Sequence, residues 1–104
     1  MQTFSNGQMV LTKDIERKLP PLYSQDGEGE AAIAQVKFFT VVADWTWYAS
    51  EYAADTGVFF GLVGSPYATE LGYWTIDDLM SIQVGVLGVE RDKAWTPRPL
   101  SLCR

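Results

Sequence analysis

The chain has 104 residues, 47% of them hydrophobic and 20% charged, with a formal net charge of −5 and no histidine. That length sets one domain burying on the order of 60–65% of its unfolded surface, and the composition excludes disordered and fibrous classes. The missing histidine removes the commonest general base and metal ligand, and the lone Cys103 leaves no internal disulfide or multi-thiolate metal site.

No apolar run reaches the ~18 residues of a membrane span, and the first residues lack the layout of a signal peptide. A soluble, cytoplasmic protein is expected. Residues 1–10 are expected to be a flexible N-terminal segment, and residues 11–104 a single α+β domain. Leu11 to Leu22 predicts a short helix, with Thr12 as N-cap, Asp14 and Glu16 early, Arg17 and Lys18 late, and Pro20 and Pro21 as its stop. Leu11, Ile15, Leu19 and Leu22 recur at helical spacing on one side of it. Ser24 to Glu30 reads as a solvated acidic loop that fails the ligand spacing of a calcium-binding EF-hand.

From Ala34 to Val63 the chain is densest in aromatic and β-branched residues, which favours strands. The first strand runs through Val36 to Ala43. In the second, period two puts Trp45, Trp47 and Ala49 on one face and Thr46, Tyr48, Ser50 and Tyr52 on the other. The third, Val58 to Val63, follows a reversal at Ala54 to Gly57, and three strands in a meander result. Thr69 to Thr75 predicts a fourth, with Leu71 and Tyr73 facing away from Gly72 and Trp74. Thr75 and Asp78 resemble a capping box opening a short helix through Leu79 and Met80. Val84 to Val89 reads as a connecting loop. The alternating charges Glu90 to Lys93 suit a sheet edge, and Trp95 to Leu102 an extended arm pinned by Trp95 and Leu100. The fold expected is therefore α+β: an antiparallel, meander-like sheet of four to five strands, an N-terminal helix, and a short helix after the fourth strand. An unpaired edge near Ala34 or Lys93 would be the place for a symmetric dimer.

The segments LTKDIERKLPPLY, VKFFT, WTWYASE, FFGLV, ELGYWTIDDL, LGVERD and PRPLS, taken in this order, resemble the small uncharacterised bacterial family of domain of unknown function 2958. The resemblance implies a short protein of plasmids, phages and other mobile elements, and it transfers no functional residue.

Between Asp26 and Asp78 there are nine acids against one base, Lys37, whereas the flanks hold seven bases and four acids. Gathered on one surface, the central acids would attract basic partners and repel nucleic acid and anionic membrane. The leading expectation is a non-enzymatic interaction protein binding a basic protein surface through Asp44, Glu51, Asp55, Glu70, Asp77 and Asp78. Its concrete form is an inhibitor of a host defence nuclease complex, of anti-CRISPR or anti-restriction type, with carboxylates standing in for phosphates. The alternative is a small-ligand or peptide module using Trp45, Trp47, Tyr48, Tyr52, Tyr73 and Trp74. Ranked last is a carboxylate enzyme using Glu51 with Asp55 or Asp77 with Asp78. No cofactor is expected.

Overall fold

The computed structural model describes residues 2–41, 43–84 and 87–103. In chain order these form helix α1 (Lys13–Lys18), strands β1 (Ile33–Ala34), β2 (Val36–Thr40), β3 (Thr46–Ala53), β4 (Val58–Gly64) and β5 (Thr69–Thr75), helix α2 (Ile76–Ser81), and strands β6 (Gln83–Val84), β7 (Leu87–Arg91) and β8 (Arg98–Pro99). Strands β2 to β7 make one antiparallel sheet in the order β5-β4-β3-β2-β7-β6, and β1 pairs separately with β8. The arrangement is the expected antiparallel sheet with a few short helices.

Local chemistry sets the helix ends. The Thr12 hydroxyl accepts from the Ile15 N–H, and Leu19, just before Pro20 and Pro21, is the C-cap, so α1 is shorter than the expected Leu11 to Leu22. At α2 both bonds of the Thr75–Asp78 capping box form, at 3.0 and 2.9 Å. Gly57 (φ 73°) makes the β3–β4 reversal, where its N–H donates to the Ala53 carbonyl.

Four corrections come from pairing between distant segments. Strand β2 ends at Thr40 rather than Ala43, and Ala43 and Asp44 take positive φ in the turn that follows; Val42 lies outside the described residues. Leu87–Arg91 is a strand and not part of a loop, because it pairs with the open side of β2, Phe38 opposite Arg91 and Thr40 opposite Val89. The meander therefore covers only β2 to β5. Gly85 and Val86, within that expected loop, lie outside the described residues. The expected free edges are also displaced: Ala34 pairs with Arg98, and Lys93 sits in a turn.

The fourth correction concerns residues 1–10. They are not a detached segment, since Phe4 and Val10 are buried in the core and the Gln8 side chain bonds both the N–H and the carbonyl of Arg91. An apolar residue buried at either end of this stretch gives it a tertiary anchor that its own polar composition does not announce.

The two faces of the sheet carry two cores. On one, Val36, Phe38, Trp47, Ala49, Tyr52, Phe59, Trp74 and Val89 pack under α1, α2 and the N-terminal segment. Phe59 is the hub there, with ring centroids 5.5 Å from Phe38, 4.6 Å from Tyr52 and 5.5 Å from Trp74. Trp74 leaves its buried Nε1–H without a partner among the described residues. An unmet donor costs about 1–3 kcal/mol, which the burial of so large a stacked ring outweighs. On the other face, Ala32, Ala34, Leu62 and Leu100 gather with Tyr48 and Trp95. The C-terminal arm is pinned there as expected, with Leu100 fully buried and the Trp95 Nε1–H donating to the Ala34 carbonyl at 2.9 Å.

One irregularity reassigns side chains between faces. The β3–β4 register shifts between Ala49 and Glu51, a bulge that leaves Ser50 as the extra residue. Past it, Tyr52 pairs with Phe59 and joins the Trp47 face, and Glu51 pairs with Phe60 on the opposite face. Strict alternation had placed Tyr52 opposite Trp47, so that expectation is corrected.

Candidate functional site

Three backbone ties bring α1, β3, the β3–β4 turn and α2 to one end of the molecule. The Tyr52 N–H donates to the Pro20 carbonyl (3.0 Å), the Ile76 N–H to the Gly57 carbonyl (2.9 Å), and the Gly57 N–H to the Ala53 carbonyl (2.8 Å). Between these elements lies a cleft of about 340 Å3 lined by Gln2, Glu16, Tyr52, Thr56, Thr75, Asp77 and neighbouring backbone. Two carboxylates and three hydroxyl-bearing side chains converge there, and among the described residues no lysine or arginine lines it.

The bulge is what delivers Tyr52 to this cleft. Its ring stacks on Phe59, and its hydroxyl is held above the ordinary value of 10.0, first by burial and second by the negative charge of Glu16. Both causes disfavour the phenolate. Folded Tyr52 thus holds its proton more tightly than the unfolded chain does. Its contribution to stability is full below pH 10.0 and is lost as pH rises above that value. Alkaline unfolding followed by circular dichroism should therefore show a fall in stability above this pH that is shallower in Tyr52→Phe; an unchanged slope would remove Tyr52 from the account.

The six acids expected to bind a partner are not brought together. Asp77 lines the cleft, and Asp55 is exposed in the turn between the lining residues Ala54 and Thr56. Asp78 lies beside them on α2, its carboxylate already accepting from the Thr75 N–H. Asp44 and Glu70 are exposed near the opposite ends of the strands, six residues or roughly 20 Å away. Glu51 is buried, 2% exposed, and its two oxygens accept from the Tyr23 and Gln25 N–H groups at 3.0 and 2.7 Å. It is a structural carboxylate and not a surface contact. Glu16, which does line the cleft, had no functional role in the sequence reading, where it figured only as an acid complementing the helix dipole.

The aromatic candidates divide as well. Trp47, Tyr52 and Trp74 belong to the core, Tyr48 is half-buried against Trp95 on the other face, and only Trp45 and Tyr73 are exposed. Trp45 stacks on Trp47 with centroids 6.0 Å apart. No shared aromatic binding surface results from these six. The carboxylate pairs considered for catalysis likewise divide, since Glu51 is enclosed and Asp78 is committed to its cap. Cys103 is half-buried, and burial pushes its thiol up while Arg98 and Lys37 pull it down. A thiol raised in this way carries little of the reactive thiolate at neutral pH.

Among the described residues no group of three or more His, Cys, Asp or Glu could hold a metal ion, and no helix is long and apolar enough to cross a membrane. Neither a curated protein nor a solved structure matches the chain. One family model, described as a protein of unknown function (DUF2958), matches residues 10–102, from buried Val10 through the pinned C-terminal arm. With nearly the whole fold inside that match, this chain belongs to the DUF2958 family.

Proposed function

We propose that this chain is a non-enzymatic interaction protein that binds a basic surface of another protein through its acidic cleft end. The observation supporting it is the convergence of Glu16 and Asp77 on one cleft that no lysine or arginine among the described residues lines. Asp55 extends the negative surface along the adjoining turn. Paired carboxylates flanked by the Tyr52 and Thr56 hydroxyls suit a guanidinium, which donates in a planar fork and holds its charge at any working pH. In concrete form the partner is a nucleic-acid-handling complex, such as a defence nuclease, whose phosphate-binding arginines take these carboxylates instead. The acids distant from the cleft, Asp44 and Glu70, are not part of the contact, and Glu51 supports the fold.

The double variant Glu16→Lys/Asp77→Lys should keep its thermal melt close to that of the parent and lose a basic partner captured from cell extract. The loss expected is more than about a hundredfold in affinity, because close interfacial charge pairs couple at about 1.5 kcal/mol or more each. Raised salt should weaken capture by the parent chain. Partner binding unchanged in the double variant would overturn the assignment to this cleft.

A further inference from the structure

The longest open edge of the sheet is β5. Its other edge, β6, is two residues long. Strand β5 pairs with β4 over all seven residues without a register shift, and it carries neither proline nor lysine, so the usual obstacles to further strand pairing are missing from it.

The phase of its hydrogen bonds follows from the two ends of the hairpin. The Ser65 N–H donates to the Ala68 carbonyl and the Ile76 N–H to the Gly57 carbonyl, so the hydrogen-bonded pairs between them are those of Glu70, Gly72 and Trp74. Leu71 and Tyr73 then point their N–H and C=O groups outward along the open edge. The Thr75 N–H also points outward and is occupied by the Asp78 carboxylate, which closes that end. Large apolar side chains concentrate at the same edge: Leu71 is 43% exposed, Tyr73 55% and, in the preceding turn, Tyr67 92%. The Tyr23 ring lies 6.4 Å from that of Tyr73 on the same face.

We infer that this edge is the contact between two copies of the chain, which pair β5 to β5 antiparallel about a two-fold axis at Gly72. Outward groups must meet outward groups, and this register sets Leu71 opposite Tyr73 of the second copy, twice by symmetry. Four backbone hydrogen bonds form, and the two leucines and two tyrosines close into one apolar cluster on one face. Glu70, the one charge on the strand, falls opposite Trp74 of the second copy. The two Glu70 side chains are then four residues apart along the ladder, roughly 13 Å, beyond the screening length of about 8 Å at physiological salt. Shifting the axis to Leu71 would halve that separation, and shifting it to Tyr73 would set Leu71 opposite Thr75, whose N–H is already taken by Asp78, so the Gly72 register is favoured. At the axis Gly72 has room, since a Cβ there would meet only Val63 Cγ2 at 4.0 Å.

Sedimentation equilibrium of the full chain, from about 1 to 200 µM, covers the range in which a micromolar dissociation constant appears as a change in mass. The parent mass should rise from 11.6 kDa towards twice that value. Leu71→Lys, at an exposed site, should keep its circular dichroism and thermal melt and weaken association more than about tenfold, by placing like charges beside the axis. Gly72→Cys, made together with Cys103→Ser, should oxidise to a covalent dimer. A parent chain at 11.6 kDa throughout, or Leu71→Lys associating as the parent does, overturns the inference. So does a Gly72→Cys/Cys103→Ser chain that associates without cross-linking. None of these readouts involves a partner at the acidic cleft, so the two proposals stand or fall separately.

Discussion

Gly61→Ala should not hold the native sheet. A Cβ at this position would lie inside the shell of the Tyr48 carbonyl oxygen, 2.9 Å from the Tyr48 carbonyl carbon and 3.0 Å from Ala49 Cα. All three atoms are backbone of β3, the strand held between β2 and β4, so none can rotate away as a side-chain tip would. The crowding sits beside the bulge at Ser50, where the paths of the two strands are least regular. Overpacking of this kind costs about 3 kcal/mol or more, a large share of the 5–15 kcal/mol that holds a typical domain folded. Gly72→Ala is the control. Gly72 pairs with Gly61 in the same row, yet its added Cβ makes only ordinary contact, so its effect should stay within about 1 kcal/mol. Urea unfolding of the pair measures the difference; equal midpoints would show that β3 and β4 do not approach this closely.

Glu51→Lys should melt at least ~12 °C below the parent, at about 4–8 °C per kcal/mol for a domain of this size. Two backbone donors, from Tyr23 and Gln25, point at the carboxylate. Tyr23 reaches that geometry with φ at 70°, so that its N–H and that of Gln25 curve round one anion. A lysine would bury a cation against those donors and leave both unmet, and a hydrogen bond to a charged group is worth about 1.5–3 kcal/mol. Glu51→Gln keeps one acceptor oxygen and should lose less than half as much. The consequence for function is direct. A charge-reversal set that includes Glu51 would report unfolding, whereas Glu16→Lys/Asp77→Lys would report the contact itself. A Glu51→Lys melt equal to the parent's would return that residue to the surface candidates.

The elements legible from the residues were those decided within a few positions of the chain. Thr12 caps α1 through a bond to a residue three places on, Thr75 and Asp78 close their box over the same distance, and Gly57 supplies the positive φ of a tight reversal. Alternation along Thr69–Thr75 correctly separated Leu71 and Tyr73 from Trp74, because β5 has no irregularity. The same rule failed on β3, where one extra residue moved Tyr52 into the core and turned Glu51 to the other face. No local signal marks that bulge; it follows from how β3 and β4 fit each other. The role of Glu51 depends on a loop 26 and 28 positions earlier in the chain, and that of Glu16 on a helix folded against the end of β3. Capping and turn chemistry are short-range and written in neighbouring side chains. Strand order, bulges and the meeting of distant carboxylates are set by which surfaces bury the most apolar area together, and that choice exists only once the whole chain is packed.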